Sequence, residues 1–410
     1  MPKVFSYSAS IAQIVALATF FTLSFAPLAQ MEMGFLKKGK LSGVQKKITR
    51  PEISGQAIKE GSYQQAFEKW FSKNVGFRGP AIRTENQLNY SLFGDIYSKG
   101  DTNIVLGNDN FLFERSYIHN FNRNYPVGHA QLAKVVNRLL NLQTSLKKKL
   151  GVAFTLVITP SKPEIYPEKL PANLVHPDRE KRISDYEIFK SLATQSGINL
   201  IDGAEISKKL KEETGYLVFA PGGVHWGYWT ACKVGNKVID SLRHQLEKNV
   251  QRLNCGPHEF RNRPYHTDGD LLNMTNLWDK SKWEAAVPYP NLKEMFYDPE
   301  SYHPTVLMIG DSFTWNPLHF FDKDAIFRKR KFLYYYSTEY NFWTSGSVET
   351  PKRRKNKKNH KGKVKLDWEK TFADREAVVI FANQSVLHSA GLGFVDDALA
   401  WLSGIESKNK

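Results

Sequence analysis

The sequence predicts an α/β fold with a mostly parallel sheet, and three of its features carry that expectation. Short, continuously apolar runs recur between segments of helical periodicity, which is how strands covered on both faces read. Strands separated by helices in this way imply right-handed crossovers and parallel pairing. One run, VLMIG at 306–310, stops abruptly on Gly-Asp-Ser, as strands do at the carboxyl edge of an open sheet, where ligands bind.

From Val4 to Met31 no residue is charged, and IAQIVALATFFTLSFAPL (11–28), preceded by Lys3, is an apolar run of 18. This predicts a signal peptide or membrane anchor over 1–30: its length suits an anchor, and Ser24-Phe25-Ala26 offers a small-residue cleavage pattern. Either reading makes the remainder an exported protein. Residues 31–60 are basic, contain Gly and Ser and lack a period, so they read as linker. Within 61–128, Phe67, Trp70 and Phe71 fall at helical spacing and Ile82, Leu88 and Leu92 continue the pattern. Gly107-Asn108-Asp109-Asn110 between apolar arms predicts a hairpin over 104–114, which completes a helical and hairpin cap.

The main domain is expected over 129–410. Leu132, Val135, Leu139, Leu142, Leu146 and Leu150 share one helix face, and GVAFTLVITP (151–160) follows as a buried strand. A helix near 181–195 precedes INLID (198–202); VLMIG, KFLYYYS (331–337) and AVVIFA (377–382) complete the strands.

Composition narrows the function. Hydrophobic residues at 41% and aromatics at 13% exclude general disorder. Nine Lys or Arg between Lys352 and Lys365 supply more than half of a formal net charge of +16. Such a block reads as a solvated basic loop over 352–365, or as an attraction for anionic polymer or lipid headgroups. Nucleic acid is a poor partner for an exported chain that has no RNP, zinc-finger or helix-turn-helix pattern. Cys232 and Cys255 are the only thiols, which excludes a disulfide framework and leaves open one bridge or two separate buried thiols. No His, Asp or Glu group has metal-ligand spacing, and no cofactor is called for.

Ser312 is the candidate nucleophile; the plain alternative is that Asp311-Ser312 only caps the next helix. A serine hydroxyl needs an imidazole to accept its proton. Among eleven histidines, His225 in FAPGGVHWGYWTAC stands out, after a Gly-Gly turn and at the mouth of a helix beginning near Trp226. Positive potential there would keep the ring neutral and basic.

GDSF at 310–313, HW at 225–226 and ITPSKPEIYPEKLP at 158–171 together resemble the SGNH-hydrolase-like domain of alginate O-acetyltransferases of the AlgJ and AlgX type. GFRGPAIRTENQLNYSLFGD before VLGNDNFLF is similar to that family's region ahead of the domain, and GLGFVDDAL (391–399) to its C-terminal helix, so the resemblance covers roughly residues 60–405. It implies a flavodoxin-like three-layer fold of SGNH type in circularly permuted order, because ordinary SGNH enzymes place the GDS block first. It also implies that Ser312 carries an acetyl ester, with His225 as general base. The expected protein is a periplasmic enzyme, or one held at the extracytoplasmic face of the inner membrane by residues 11–28. It would move acetyl groups onto hydroxyls of an exopolysaccharide, with a membrane-bound acyltransferase as the supplier. The rival readings are a polysaccharide acetylesterase and a non-catalytic polysaccharide-binding or assembly subunit with a degenerate triad.

The third triad member departs from the family. Its motif is Asp-x-His-Trp, and here Gly223 stands two residues before His225. Losing the acid of a triad can cost about four orders of magnitude in rate. Another carboxylate, with Asp268 or Asp270 of HTDGDL as the candidates, a backbone carbonyl, or low activity are the alternatives. Asp311 adjoins Ser312, and neighbours along a turn point apart. For the oxyanion, the Ser312 amide and the side chains of Asn316 and Asn383 are the candidate donors. Thr314 and Trp315 are expected to line the acceptor groove, with Trp226 or Trp229 stacking on sugar or packing in the core.

Overall fold

The computed structural model describes residues 10–35, 40–43, 47–96, 104–345 and 352–408. Lys3, the first nine residues, and residues 36–39 and 44–46 of the expected linker lie outside them. The chain divides into two compact units, Met1–Thr102 with Leu272–Lys280, and Asn103–Leu271 with Ser281–Lys410. The stretch 61–128 expected as a cap therefore contributes helices Ser62–Asn74 and Arg78–Phe93 to the first unit, and its hairpin with helix Arg115–Phe121 to the second.

In the first unit Ile11–Met33 is one helix of 23 residues, started by a capping box between Ser10 and Gln13. Its apolar window has a mean hydropathy of 1.8 and no buried residue, and it is the one helix among the described residues long and apolar enough to cross a membrane. At about 1.5 Å per residue it exceeds the roughly 30 Å of a bilayer core. Helices Ser62–Asn74 and Arg78–Phe93 follow. Phe67 packs against Trp70 and Phe71, so these aromatics serve the unit's own packing.

The second unit is built on seven strands: β1 (Ala153–Thr159), β2 (Leu200–Asp202), β3 (Thr305–Gly310), β4 (Lys329–Tyr334), β5 (Thr338–Ser345), β6 (Lys352–Asn359) and β7 (Ala377–Asn383). Their order is β6-β5-β4-β3-β7-β1-β2. The five from β4 to β2 run parallel, while β5 is antiparallel to β4 and β6 to β5.

Alternate residues of the central strands feed two cores. Phe154, Leu156 and Ile158 with Leu307 and Ile309 meet α1 (His129–Leu150), α2 (Asp185–Gln195) and α6 (Phe394–Lys408). Val157, Val306, Met308 and Phe381 meet α4 (Tyr228–Leu246) and α5 (Trp315–Lys323) on the opposite face. A further helix, α3 (Gly203–Thr214), follows β2. Both faces are covered, which is why β1, β3 and β7 contain no polar alternation. The hairpin pairs Ile104–Leu106 with Leu112–Glu114, as the Gly-Asn-Asp-Asn signal predicts.

Two expectations change, and the open reading of the two cysteines closes. The basic run is not a loop throughout, because Lys352–Asn359 forms an edge strand in register with Thr338–Ser345. All eight of its side chains are exposed, so no apolar alternation marked it as a strand; charge at a sheet edge also discourages pairing with other chains. Cys232 and Cys255 are joined in a disulfide, with Cα atoms 5.6 Å apart. The helix after His225 starts at Tyr228 with Gly227 as its cap, so His225 lies ahead of the helix mouth and not on it.

Candidate active site

Gly310 ends β3 because the chain must fold straight back on itself: a Cβ there would run into the Thr314 hydroxyl and approach Phe381 to 3.0 Å. The Asp311 carboxylate accepts the amide N–H of Phe313 at 2.9 Å, so Ser312 opens a single 3-10 turn that leads into α5. Capping therefore falls to Asp311 and leaves the Ser312 hydroxyl uncommitted to that task. Burial pushes the Asp311 carboxyl up to about 6.

His225 comes from the turn after Pro221, closed by the Phe219–Trp226 bridge and by the Gly227 amide on the Val218 carbonyl at 2.8 Å. Its ring lies 4.7 Å from the ring of Phe313, the residue after Ser312. The Trp226 indole N–H donates to the Phe313 carbonyl at 2.9 Å. These contacts bring the histidine turn onto the serine turn. His225 Nδ1 meets Asp270 Oδ2 at 2.5 Å, while Nε2 is buried and has no hydrogen-bond partner among the described residues. A carboxylate at Nδ1 selects the tautomer with its proton there and leaves the Nε2 lone pair as the acceptor.

Asp270 is itself fixed, because its Oδ1 accepts the amides of Val224 at 2.9 Å and Leu271 at 2.7 Å. Asp268 is placed otherwise. It is fully buried, accepts the Tyr289 phenol, makes no hydrogen bond to His225, and is pushed up to about 7 by burial. A Cβ on Gly223 would stand 2.7 Å from the Thr267 carbonyl oxygen and 3.0 Å from Asp268 Cα. The segment carrying Asp270 thus occupies the space that a side chain at 223 would need.

Several polar and aromatic candidates are committed to the frame. Asn316 donates to the Trp226 carbonyl at 2.6 Å and accepts the Thr267 hydroxyl at 2.9 Å, clasping the histidine turn, the acid segment and α5. Asn383 donates to the Pro160 carbonyl at 3.1 Å and accepts the Ser385 amide at 2.9 Å. Trp226, Trp229 and Thr314 are buried, which removes the two tryptophans from sugar stacking. Trp315 is half-buried, edge-on to Phe332 and Tyr340 at 5.1 and 4.8 Å.

Tyr335 was not singled out from the sequence. Its amide donates to the Gly310 carbonyl at 2.9 Å, and its phenol interacts with the hydroxyl and backbone amide of Ser312. Both Tyr335 and Tyr336 hold left-handed backbone, φ 49° and 50°, uncommon for residues other than glycine and frequent at functional sites. Three successive tyrosines at the end of a strand are the only sequence signal. Tyr117, half-buried and 6.1 Å ring to ring from Phe313, is a second phenol near Asp311 and Asp270, and desolvation raises its pKa. Among the described residues, no cluster of His, Cys, Asp and Glu is placed to hold a metal ion.

The family described as "SGNH hydrolase-like domain, acetyltransferase AlgX" matches residues 104–324. The chain belongs to this AlgX family. The match spans His225, Asp270 and Ser312 and ends before Tyr335 and β6. Among solved structures, the O-acetyltransferase domain of Pseudomonas putida AlgJ is 17% identical, with a TM-score of 0.42 over 73% of this chain and 99% of its own. Bacillus cereus PatB1 with a sulfonyl adduct is 13% identical, TM-score 0.43, over 70% and 97%. Pseudomonas aeruginosa AlgX is 15% identical, TM-score 0.39, over 72% and 67%. No curated protein sequence matches the chain. The carboxylate that meets His225 Nδ1 lies 45 residues after the histidine, where the Asp-x-His-Trp pattern places one two residues before it.

Proposed function

We propose that this AlgX-family chain is an O-acetyltransferase that moves acetyl groups onto hydroxyls of an exported polysaccharide through a Ser312 acetyl-enzyme. The observation that carries the reading is the Asp270–His225 pair, its ring set against the residue after Ser312 and its Nε2 without another partner. In the first half-reaction Ser312 Oγ attacks the acetyl carbonyl and its proton passes to His225 Nε2. The bond to the donor's leaving group breaks, and that group takes the proton from His225. In the second half a sugar hydroxyl gives its proton to His225, its oxygen takes the acetyl carbon, and Ser312 Oγ recovers the proton. Water in place of sugar gives the acetylesterase. The non-catalytic alternative rested on the missing acid at Gly223, and Asp270 beside His225 supports the enzyme reading over it.

Peptide mass spectrometry after incubation with a chromogenic acetate ester tests the proposal. An acetyl group mapped to Ser312, and discharged faster when oligosaccharide is added, is the expected result. Ester turnover with no adduct on Ser312 excludes the mechanism.

Tyr335 supports the oxyanion in this reading, because its phenol stands beside the Ser312 amide where negative oxygen would develop. Tyr335→Phe keeps the ring and is expected to lower kcat by about 10²-fold, the usual effect of removing one such donor, with KM little changed. A kcat within twofold of the parent would assign Tyr335 to packing.

The acceptor is proposed to be acidic, and β6 to help hold it. Arg353, Lys355 and Lys357 share one face of that strand; Arg353 reaches the Lys323 carbonyl of α5, and Lys357 lies 5.4 Å over Tyr340, which packs on Trp315. The cationic row thus leads by aromatic contacts to the helix that follows Ser312. Each cation near an anionic surface contributes ~1 kcal/mol at most, so changing all three to Gln should weaken binding of a polyuronate by on the order of 100-fold at low salt. Unchanged binding to the polyuronate with lost binding to anionic vesicles would assign the row to lipid. The export proposal, with Ile11–Met33 as targeting segment or anchor, and the supply of acetyl by a membrane-bound acyltransferase complete the reading.

A further inference from the structure

The ITPSKPEIYPEKLP block has so far supplied only a resemblance, yet it holds the most fully enclosed cation of the site. Lys162 follows β1, is fully buried, and its Nζ donates to four backbone carbonyls: Leu112 at 2.9 Å, Ala220 at 2.8 Å, Pro221 at 2.8 Å and Gly223 at 2.7 Å. Phe111 and Phe113 of the hairpin lie with ring centroids 5.1 and 5.4 Å from the ammonium. Among the described residues no carboxylate is hydrogen-bonded to it. An ammonium has three N–H groups, so four carbonyls share them, and removing the charge would leave those oxygens turned inward without a donor.

One of the four contacts does more than hold a turn. The carbonyl of the Gly223–Val224 peptide accepts from Lys162, while the N–H of the same planar unit donates to Asp270 Oδ1 at 2.9 Å. Asp270 then meets His225 Nδ1 through its other oxygen at 2.5 Å. The chain of contacts runs from ammonium to peptide to carboxylate to imidazole. A cation on the carbonyl polarises the peptide and strengthens its N–H as a donor, and hydrogen bonds in series reinforce one another in a poorly solvated interior. Burial, which pushes Lys162 down to about 7, is opposed by Asp270 and Asp268.

We propose that Lys162 is a positioning residue that orients the Asp270–His225 pair through the single Gly223–Val224 peptide, a role that rests on the acyl-transfer reading given above. It touches no substrate. It explains how an acid brought in from a separate segment is held in line: the peptide facing Asp270 is gripped from behind, and absence of a side chain at 223 lets the two segments close on each other.

A double-substitution cycle tests this. Lys162→Met fills similar volume without the charge and is expected to lower kcat for an acetate ester about 10- to 100-fold with KM unchanged, the usual scale for removing an outer partner of a site residue. In the Asp270→Asn background the same change should cost less than about threefold, because its route to the histidine is already cut. Costs that multiply instead would reduce Lys162 to general support of the fold and overturn the proposal. If Lys162→Met gives no soluble protein, the link is read by NMR in the unsubstituted chain. The Val224 amide proton should lie downfield and the Lys162 Nζ signal should be resolved, and both should shift in Asp270→Asn. Signals indifferent to Asp270 overturn the proposal. This readout needs no turnover, so it stands or falls separately from the assignment of Ser312.

Discussion

Asp270→Asn is expected to cut acyl transfer by about 10⁴-fold, close to the loss on Ser312→Ala, with little change in the unfolding midpoint. The size of the effect follows from how the carboxylate is held. Oδ1 already accepts two backbone amides, Val224 and Leu271, so an asparagine would keep its oxygen there and turn its amino group toward His225. Nδ1 would then have to accept, the ring proton would move to Nε2, and the imidazole could no longer take a proton from Ser312. Burst and steady-state kinetics with a chromogenic acetate ester across pH 6 to 9 check this. Turnover above a tenth of the parent's would show that Asp270 does not set the ring's tautomer and would hand that task to another group.

Gly223→Asp, which restores the Asp-x-His-Trp pattern, is expected to damage the enzyme. The new Cβ would lie 2.7 Å from the Thr267 carbonyl oxygen and 3.0 Å from Asp268 Cα, and these are backbone atoms that cannot rotate away. Overpacking of this kind costs about 1–3 kcal/mol, readable as a lowered denaturant midpoint. Relief of the clash displaces the segment carrying Asp270, and loss of the acid's alignment should lower kcat by about 10²-fold or more. Gly223→Ala separates shape from charge, since the Cβ alone makes the clash and should reproduce most of both effects. If Gly223→Asp were as stable and active as the parent, the space at 223 would be open and the position of Asp270 incidental.

The frame was readable where burial leaves a one-dimensional trace. β1, β3 and β7 are apolar on both faces and stand out in the sequence, and GDS after such a strand marks a sharp turn at the sheet's carboxyl edge. HTDGDL drew attention to a carboxylate close behind the histidine block, but nothing along the chain separates Asp268 from Asp270. That choice is made by Tyr289, whose phenol reaches Asp268 from the strand Val287–Tyr289. Asn316, Asn383 and Trp226 carry groups suited to a ligand and spend them on the protein's own backbone, a use that depends on which segments become neighbours. β6 escaped because an edge strand exposed on both faces needs no hydrophobic alternation. Tyr335 escaped because its role comes from a left-handed turn after β4, and no residue type there announces it.

The Asn316 clasp bears on why the order of the blocks along the chain can vary at all. One carboxamide, giving on one side and accepting on the other, gathers three stretches of polypeptide that are far apart in the gene. What it preserves is adjacency, and adjacency is indifferent to which stretch is translated first. A cut-and-rejoined gene that kept these three stretches within an ångström of their present places would make the same arrangement of side chains from a differently ordered text.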